Sequence, residues 1–189
     1  YQNVTRACQQ AYRTPDSLSV IAVSKTQPIE VIMQLAECGQ RAFGENYLQE
    51  AIEKIAALHT RDPILAQQIC WHFIGPIQSN KTKDIAKHFT WVHSVDRLKV
   101  AERLSQQRSP HAQPLNICLQ VNISNEPSKS GVAASELPEL LRTSLALPHL
   151  RLRGLMAVPA PSNDFITQRQ AFAQLRELME QVQPLCQAA

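Results

Sequence analysis

Short apolar runs alternate with longer stretches of helical periodicity six times along this chain of 189 residues. A short apolar run followed by a helix is the repeating unit of a parallel sheet, so this alternation predicts an α/β fold. The apolar runs are Leu18–Ser24, Arg41–Phe43, Cys70–Ile74, Thr90–His93, Leu115–Asn122 and Leu150–Met156. The predicted helices are Pro28–Cys38, Tyr47–Leu58, Asn80–His88, Asp96–Gln107, Ser135–Leu145 and Asp164–Val182, with a further candidate at Val4–Tyr12.

The spacing of these units favours a barrel. One unit recurs every roughly 25 residues, which is close to what eight units in a barrel of about 250 residues require. Six strands cannot close an eight-stranded barrel, so an open doubly wound sheet is the alternative to a barrel that lacks two β–α units. No Gly/Ser linker or charge block divides the chain, and we therefore expect one domain over residues 1–189.

Composition excludes several classes of partner. Nineteen Lys and Arg residues against sixteen Asp and Glu leave a net charge of +3, too little for a nucleic-acid-binding surface. No apolar segment approaches the roughly 20 residues that cross a bilayer. The five cysteines are widely spaced and form no metal-ligand pattern, so we expect no metal site and reduced thiols in a cytoplasmic protein.

The first apolar run ends abruptly in a lysine. Ser19–Thr26 reads SVIAVSKT, which places Lys25 directly after the strand. In parallel α/β folds the C-terminal ends of the strands carry the functional groups. A lysine partly buried there favours the neutral amine that attacks an aldehyde to form a Schiff base. The alternative is a lysine that reaches solvent or pairs with a carboxylate such as Glu45.

Two other apolar runs end in side chains that could face a ligand. Asn46 follows the second run within Phe43–Tyr47, where its amide could bind a ring hydroxyl or cap the next helix. Met156 ends the sixth run, where its thioether could pack against a flat ring or fill the core.

The third run leads into the most distinctive segment, Trp71–Lys81, which reads WHFIGPIQSNK. Its small polar residues precede a helix, where unpaired N–H groups favour a phosphate, although Ser79 or Asn80 could equally be an N-cap. We interpret His72 as a core histidine without a catalytic role. Lys129 is a second amine, either competing for an aldehyde or belonging to a surface loop.

Five segments together resemble the pyridoxal 5′-phosphate (PLP)-binding proteins of the alanine-racemase-like YggS/PROSC family, also called PLP homeostasis proteins. They match in order and spacing, and the resemblance runs from about residue 15 to the end of the chain. The segments are Ala22–Thr26, Phe43–Tyr47, His72–Lys81, Ser128–Gly131 and Leu152–Ala157.

The resemblance implies a TIM-type (β/α)8 barrel like the N-terminal domain of alanine racemase, with PLP as the cofactor in its mouth. Lys25 matches the family's cofactor lysine, and Asn46 and Met156 are implied as further cofactor-binding residues. The family carries PLP as a Schiff base and takes part in intracellular PLP homeostasis, without established catalysis and without catalytic residues. The partners implied are PLP and PLP-accepting apo-enzymes, and we expect a monomer.

The sequence departs from the family pattern after the sixth unit. The family's seventh strand, around Ser-Met-Gly-Met-Ser, and its eighth, around Arg-Ile-Gly-Thr, have no counterpart here, so we expect a barrel that lacks its last two β–α units. One alternative function is a PLP-dependent racemase or decarboxylase of fold type III. A two-base racemase needs a second acid or base, commonly a tyrosine, and only Tyr47 follows a strand end. The other alternative is a barrel that binds a phosphorylated metabolite without PLP.

Overall fold

Six parallel strands form one sheet in the order in which they occur along the chain. The computed structural model describes residues 1–124 and 130–187. The strands are β1 (Ala22–Val23), β2 (Ala42–Glu45), β3 (Cys70–Phe73), β4 (Trp91–Val95), β5 (Leu115–Gln120) and β6 (Leu150–Met156). The helices of the described residues are α1 (Gln2–Gln10), α2 (Ile29–Glu37), α3 (Leu48–Arg61), α4 (Pro63–Gln68), α5 (Thr82–His88), α6 (Leu98–Gln107), α7 (Leu137–Leu145) and α8 (Phe165–Gln187), with a 3₁₀ turn at Pro15–Ser17.

The strand order decides between the two predicted architectures. Each strand pairs in parallel with the next one along the chain, from β1 to β6. Right-handed crossovers that all advance in one direction place the helices on one face of the sheet, whereas a doubly wound sheet reverses its order. The barrel-type prediction is therefore confirmed and the doubly wound alternative is wrong. Among the described residues β1 and β6 are the unpaired edges of the sheet. The barrel is therefore open between them, where two further β–α units would close it.

The core lies between the convex face of the sheet and the helices. The rings of Phe73, in β3, and Phe89, which follows α5, meet edge to face with centroids 5.2 Å apart. Helix α3 adds Ala51, Ile55 and Leu58, which lie on one face because they are spaced four and three residues apart. Each large apolar side chain buried in this way contributes about 1.5–3 kcal/mol of transfer free energy.

The first strand is shorter than predicted. We expected it over Leu18–Ser24, but only Ala22 and Val23 form ladder pairs with β2. Before them, the Gln40 side-chain amide donates to the Val20 carbonyl at 2.9 Å, which replaces a backbone ladder bond at this sheet edge. The apolar run Leu18–Ser24 therefore extends past both ends of the regular strand Ala22–Val23.

One helix was absent from the prediction. Helix α4 begins with Pro63 at its first position, and the Asp62 carboxylate accepts a hydrogen bond from the Leu65 N–H at 2.9 Å. Asp followed by Pro is a recognised start signal, but six residues are too few for a clear helical period.

The longest helix, α8, spans 23 residues. Val182 is its buried contact with the core, whereas Phe165, Ile166 and Phe172 are exposed. In the part of the chain that the structure describes, no helix combines the length and apolarity that a membrane span requires.

Candidate functional site

The three predicted cofactor-binding residues all lie at C-terminal strand ends. Lys25 comes two residues after β1, Asn46 directly follows β2, and Met156 is the last residue of β6. Lys25 and Asn46 are thus brought together on neighbouring strands, whereas Met156 lies on the opposite edge strand. The Lys25 residue is exposed, and Asn46 and Met156 are partly buried.

Of the sequence expectations for Lys25, the structure agrees with the lysine that reaches solvent. Partial burial is wrong, because β1 is an edge strand and its end leaves Lys25 exposed. Pairing with Glu45 is also wrong, because that carboxylate binds Lys54 instead. Within residues 1–124 and 130–187, no hydrogen bond or ion pair engages the Lys25 amine. An approaching aldehyde therefore meets a solvent-accessible primary amine.

The backbone around Lys25 forms a tight turn. Ser24 N–H still donates to the Gly44 carbonyl of β2 at 3.0 Å, and Gln27 N–H donates back to the Ser24 carbonyl at 3.1 Å. Between them Thr26 has a φ of +63°, which is unfavourable for a β-branched residue. The Thr26 N–H donates to the Glu50 carboxylate at 2.6 Å.

A buried ammonium lies directly behind this turn. Lys54 Nζ donates to Glu45 Oε1 at 2.9 Å, to Glu50 Oε1 at 2.5 Å and to the Ser24 carbonyl at 2.7 Å. Ser24 Oγ donates to the same Glu45 oxygen at 2.7 Å. The Lys54 and Glu45 side chains are only 8% and 0% exposed, so this pair is desolvated, whereas the Glu50 side chain is 29% exposed. We call Glu45, Glu50 and Lys54, with the Ser24 and Thr26 groups that they bind, the Lys54 network.

The charge state of Glu50 reflects its place in this network. Burial alone would raise the pKa of the Glu50 carboxyl, but hydrogen bonds from Lys54 and the Thr26 N–H, with the Lys54 charge, lower it below its ordinary value. Glu50 is therefore anionic wherever the protein is folded at neutral pH.

Asn46 is held by close backbone packing rather than by capping the next helix. The N-cap of α3 is Tyr47, so the capping alternative for Asn46 is wrong. A Cβ atom on Gly75 would lie 2.2 Å from the Asn46 carbonyl oxygen. Only glycine allows the turns after β2 and β3 to approach this closely.

A cleft of about 400 Å³ opens beside Asn46, between the starts of α3 and α5. Tyr47, Gln78, Lys81 and Asp84 contribute polar groups to it. Asn46 itself lines this cleft, whereas neither Lys25 nor Met156 does.

The predicted N-caps before α5 are wrong. The N-cap is Lys81 rather than Ser79 or Asn80, and no side chain in the described part of the chain caps the helix. Thr82 Oγ1 instead donates to the Ser79 carbonyl at 3.0 Å. The phosphate contact suggested for this segment stays a prediction.

The concave face of the sheet carries a stacked group of rings. His72 of β3 and His93 of β4 share a hydrogen bond between Nδ1 and Nε2 of 2.9 Å. The Trp91 ring stacks with both, at centroid distances of 5.6 Å. The interpretation of His72 as a buried, hydrogen-bonded histidine agrees with this geometry. Burial, with the His93 charge, lowers the pKa of His72 to about 4, and burial also lowers the pKa of His93.

An arginine covers the outer side of this ring group. The Arg153 guanidinium carbon lies 5.7 Å from the Trp91 ring centroid. Its Nε donates to Asn116 Oδ1 at 2.7 Å. We call His72, Trp91, His93, Asn116 and Arg153 the ring cluster.

The sequence did not predict the Lys54 network, and of the histidine pair it singled out His72 but not His93. A signal for the first existed, because Lys54 shares the spacing of the buried α3 residues Ala51 and Leu58 and stands four residues after Glu50. No pattern within one strand could have paired His72 with His93. Lys129 lies outside the described residues, so its predicted role stays a prediction.

The family described as alanine racemase, N-terminal domain, matches residues 1–188 of the chain. A relative from Pasteurella multocida (strain Pm70), named pyridoxal phosphate homeostasis protein, is 50% identical over 181 residues, covering 96% of this chain and 76% of its own length. A relative of the same name from Pseudomonas aeruginosa is 53% identical over 176 residues, covering 93% of this chain and 74% of its own. Neither name describes an enzyme.

A solved structure shows the same architecture. PipY from Synechococcus elongatus PCC7942, with PLP bound, is 35% identical and superposes with a TM-score of 0.79, covering 97% of this chain and 82% of that one. The barrel-type fold inferred from the strand order is therefore the fold of a PLP-containing structure.

Proposed function

The chain belongs to the alanine racemase N-terminal domain family, and from that premise we propose that it binds PLP as a Schiff base on Lys25 and takes part in PLP homeostasis. Relatives at 50% and 53% identity carry the homeostasis name, and PLP is bound in the PipY structure. The observation that carries the proposal is the exposed Lys25 amine at a C-terminal strand end, without a partner among the described residues.

The residues present fit an aldehyde cofactor. PLP supplies an aldehyde carbon, and a neutral lysine amine condenses with it to an imine while one water molecule leaves. Lys25 supplies that amine from a turn whose backbone is hydrogen-bonded on both sides. We propose that the partly buried Asn46 amide binds the ring hydroxyl from the neighbouring strand end, and that the Met156 thioether packs against the ring.

We propose that the protein carries the cofactor without catalysing a reaction. Carbanion chemistry on both faces of the ring needs a second acid or base opposite the lysine. Tyr47, the tyrosine nearest a strand end, is the N-cap of α3 and lines the cleft, which Lys25 does not line. The two histidines of the ring cluster have lowered pKa values and hydrogen-bond each other, which leaves them poorly suited to take a substrate proton.

We further propose a cytoplasmic monomer that passes PLP to apo-enzymes. All five cysteines are free thiols, as expected in a reducing compartment. The exposed position of Lys25 supports exchange of the cofactor with an acceptor, because an imine at this side chain would be open to solvent among the described residues.

The test is an absorbance titration with PLP, followed by borohydride reduction and peptide mapping. We expect a Schiff-base band in the wild-type chain, a reduced adduct that maps to Lys25, and no band in Lys25→Ala. The same titration on a chain extended by two β–α units measures how much those units add to the affinity.

Two results would contradict the proposal. One is the absence of a band in both chain lengths, and the other is a mapped adduct on a different lysine in the folded protein. Incubating the PLP-loaded protein with L- and D-amino acids distinguishes the carrier hypothesis from the enzyme hypothesis. Lys25-dependent racemisation or decarboxylation would establish the enzyme instead.

A further inference from the structure

The Lys54 network binds the backbone on both sides of the lysine that we propose to carry PLP. On the N-terminal side it holds Ser24, whose carbonyl accepts from Lys54 Nζ and whose hydroxyl donates to Glu45. On the C-terminal side it holds Thr26, whose N–H donates to Glu50. The network thus fixes both neighbours of Lys25 and, among the described residues, makes no bond to Lys25 itself.

The shape of the network differs from that of a simple buried ion pair. Two carboxylates surround one ammonium, and Glu45 Oε2 has no hydrogen-bond partner within the described residues. A pair that only compensated its own charges would need one carboxylate. The second one, Glu50, is placed where it reaches the Thr26 N–H.

The conformation of Thr26 explains why such a constraint is needed. A φ of +63° is disfavoured for a β-branched residue, and an unconstrained chain would leave it. Leaving it would redirect the backbone immediately after Lys25. The hydrogen bond from Thr26 N–H to Glu50 opposes that relaxation.

We propose that Glu50, held by Lys54, is a positioning residue that keeps the Ser24–Thr26 turn in the conformation that presents the Lys25 amine to PLP. The inference rests on the proposed function and adds how the site is preorganised. If the turn populates other conformations, the apparent affinity for an aldehyde falls by the fraction of molecules that remain competent.

The experiment compares substitutions at Glu50 with a control on the same helix. Glu50→Ala removes the acceptor of the Thr26 N–H, and Glu50→Gln keeps a carbonyl acceptor. Glu53→Ala removes an exposed carboxylate that, among the described residues, accepts only from the Gln49 side chain. The PLP titration gives the affinity of each variant at Lys25. Amide hydrogen exchange of Thr26 in the cofactor-free protein reports the turn independently of PLP.

We expect Glu50→Ala to bind PLP about tenfold more weakly and to exchange the Thr26 amide faster. Glu50→Gln should stay within about threefold of wild type, and Glu53→Ala should not differ from it. Thr26→Gly provides a second test, because glycine adopts the positive φ without a Cβ penalty. In the Thr26→Gly background, Glu50→Ala should therefore cost clearly less affinity than it does alone.

Some results would overturn this inference and leave the proposed function standing. One is wild-type PLP affinity in a folded Glu50→Ala protein, and another is an equal loss of affinity in Glu50→Ala and Glu50→Gln. An undiminished loss in the Thr26→Gly background would also contradict it, since Glu50 would then act by some route other than the turn. A wild-type protein without any Schiff base on Lys25 would overturn the proposed function, and this inference with it.

Discussion

The Lys54 network and the ring cluster lie on opposite faces of the same sheet and stabilise their buried ionisable side chains in different ways. Behind β1 and β2, Glu45 and Lys54 are both charged residues with almost no exposure, and each is bound by the other. On the concave face, His72 is similarly buried, but its partner is a second imidazole. The first region keeps its charges by pairing them, whereas the buried histidines of the second stay neutral at neutral pH because burial lowers their pKa values.

The difference follows from what each region holds. The ionic network binds backbone groups of the Lys25 turn, where a charged hydrogen bond is stronger than a neutral one. In the ring cluster, stacking on Trp91 and a neutral hydrogen bond join the His72 and His93 side chains of two neighbouring strands. Removing one partner should therefore be much more costly in the network than in the cluster.

The largest expected effect comes from removing the ammonium of the network. Lys54→Met leaves Glu45 buried without its cation, and breaking a buried pair in this way costs about 3–5 kcal/mol of unfolding free energy. Urea denaturation at neutral pH measures the loss. The double variant Glu45→Gln/Lys54→Met should recover part of it, because no buried charge is then left uncompensated at Glu45. A loss below about 1 kcal/mol in Lys54→Met would show that the pair is not desolvated.

The second prediction uses pH to separate the two regions. The pKa of His72 is about 4 in the folded protein, against 6.5 for an ordinary histidine, so the unfolded chain binds more protons between these values. Stability is then complete above pH 6.5 and falls on acidification, by about 2 kcal/mol down to pH 4.5. The Glu50 pKa is lowered from 4.5, so its contribution is present above pH 4.5 and is lost only below it.

The matched variant for this pH profile is His72→Phe. Phenylalanine keeps a ring beside Trp91 but cannot bind a proton, so the slope between pH 6.5 and 4.5 should become flatter. His88 and His93, whose pKa values are also lowered by burial, contribute to the remaining slope in both proteins. Identical slopes in wild type and variant would contradict the assignment to the ring cluster.

The fold could be predicted from the sequence to a greater extent than the site. All six strands lie within or across the predicted apolar runs, because burial against helices demands continuous apolar segments. Lys25, Asn46 and Met156 could be placed at strand ends for the same reason. The Lys54 network could not, since a bond between Thr26 and Glu50 joins residues 24 positions apart and depends on where α3 packs.

The smallest expected effect concerns the exposed cation of the ring cluster. Arg153 is exposed, stacks over Trp91 and donates to Asn116, yet water competes for both contacts. Arg153→Met should therefore cost about 0.5–1 kcal/mol in urea denaturation, several times less than Lys54→Met. Arg151→Met is the control, because it removes an exposed arginine from the same strand that contacts no ring within the described residues. Equal losses in the two arginine variants would mean that net charge, and not the contact with Trp91, sets the effect. A loss in Arg153→Met as large as in Lys54→Met would break the contrast, because a cation open to solvent would then be worth as much as a buried one.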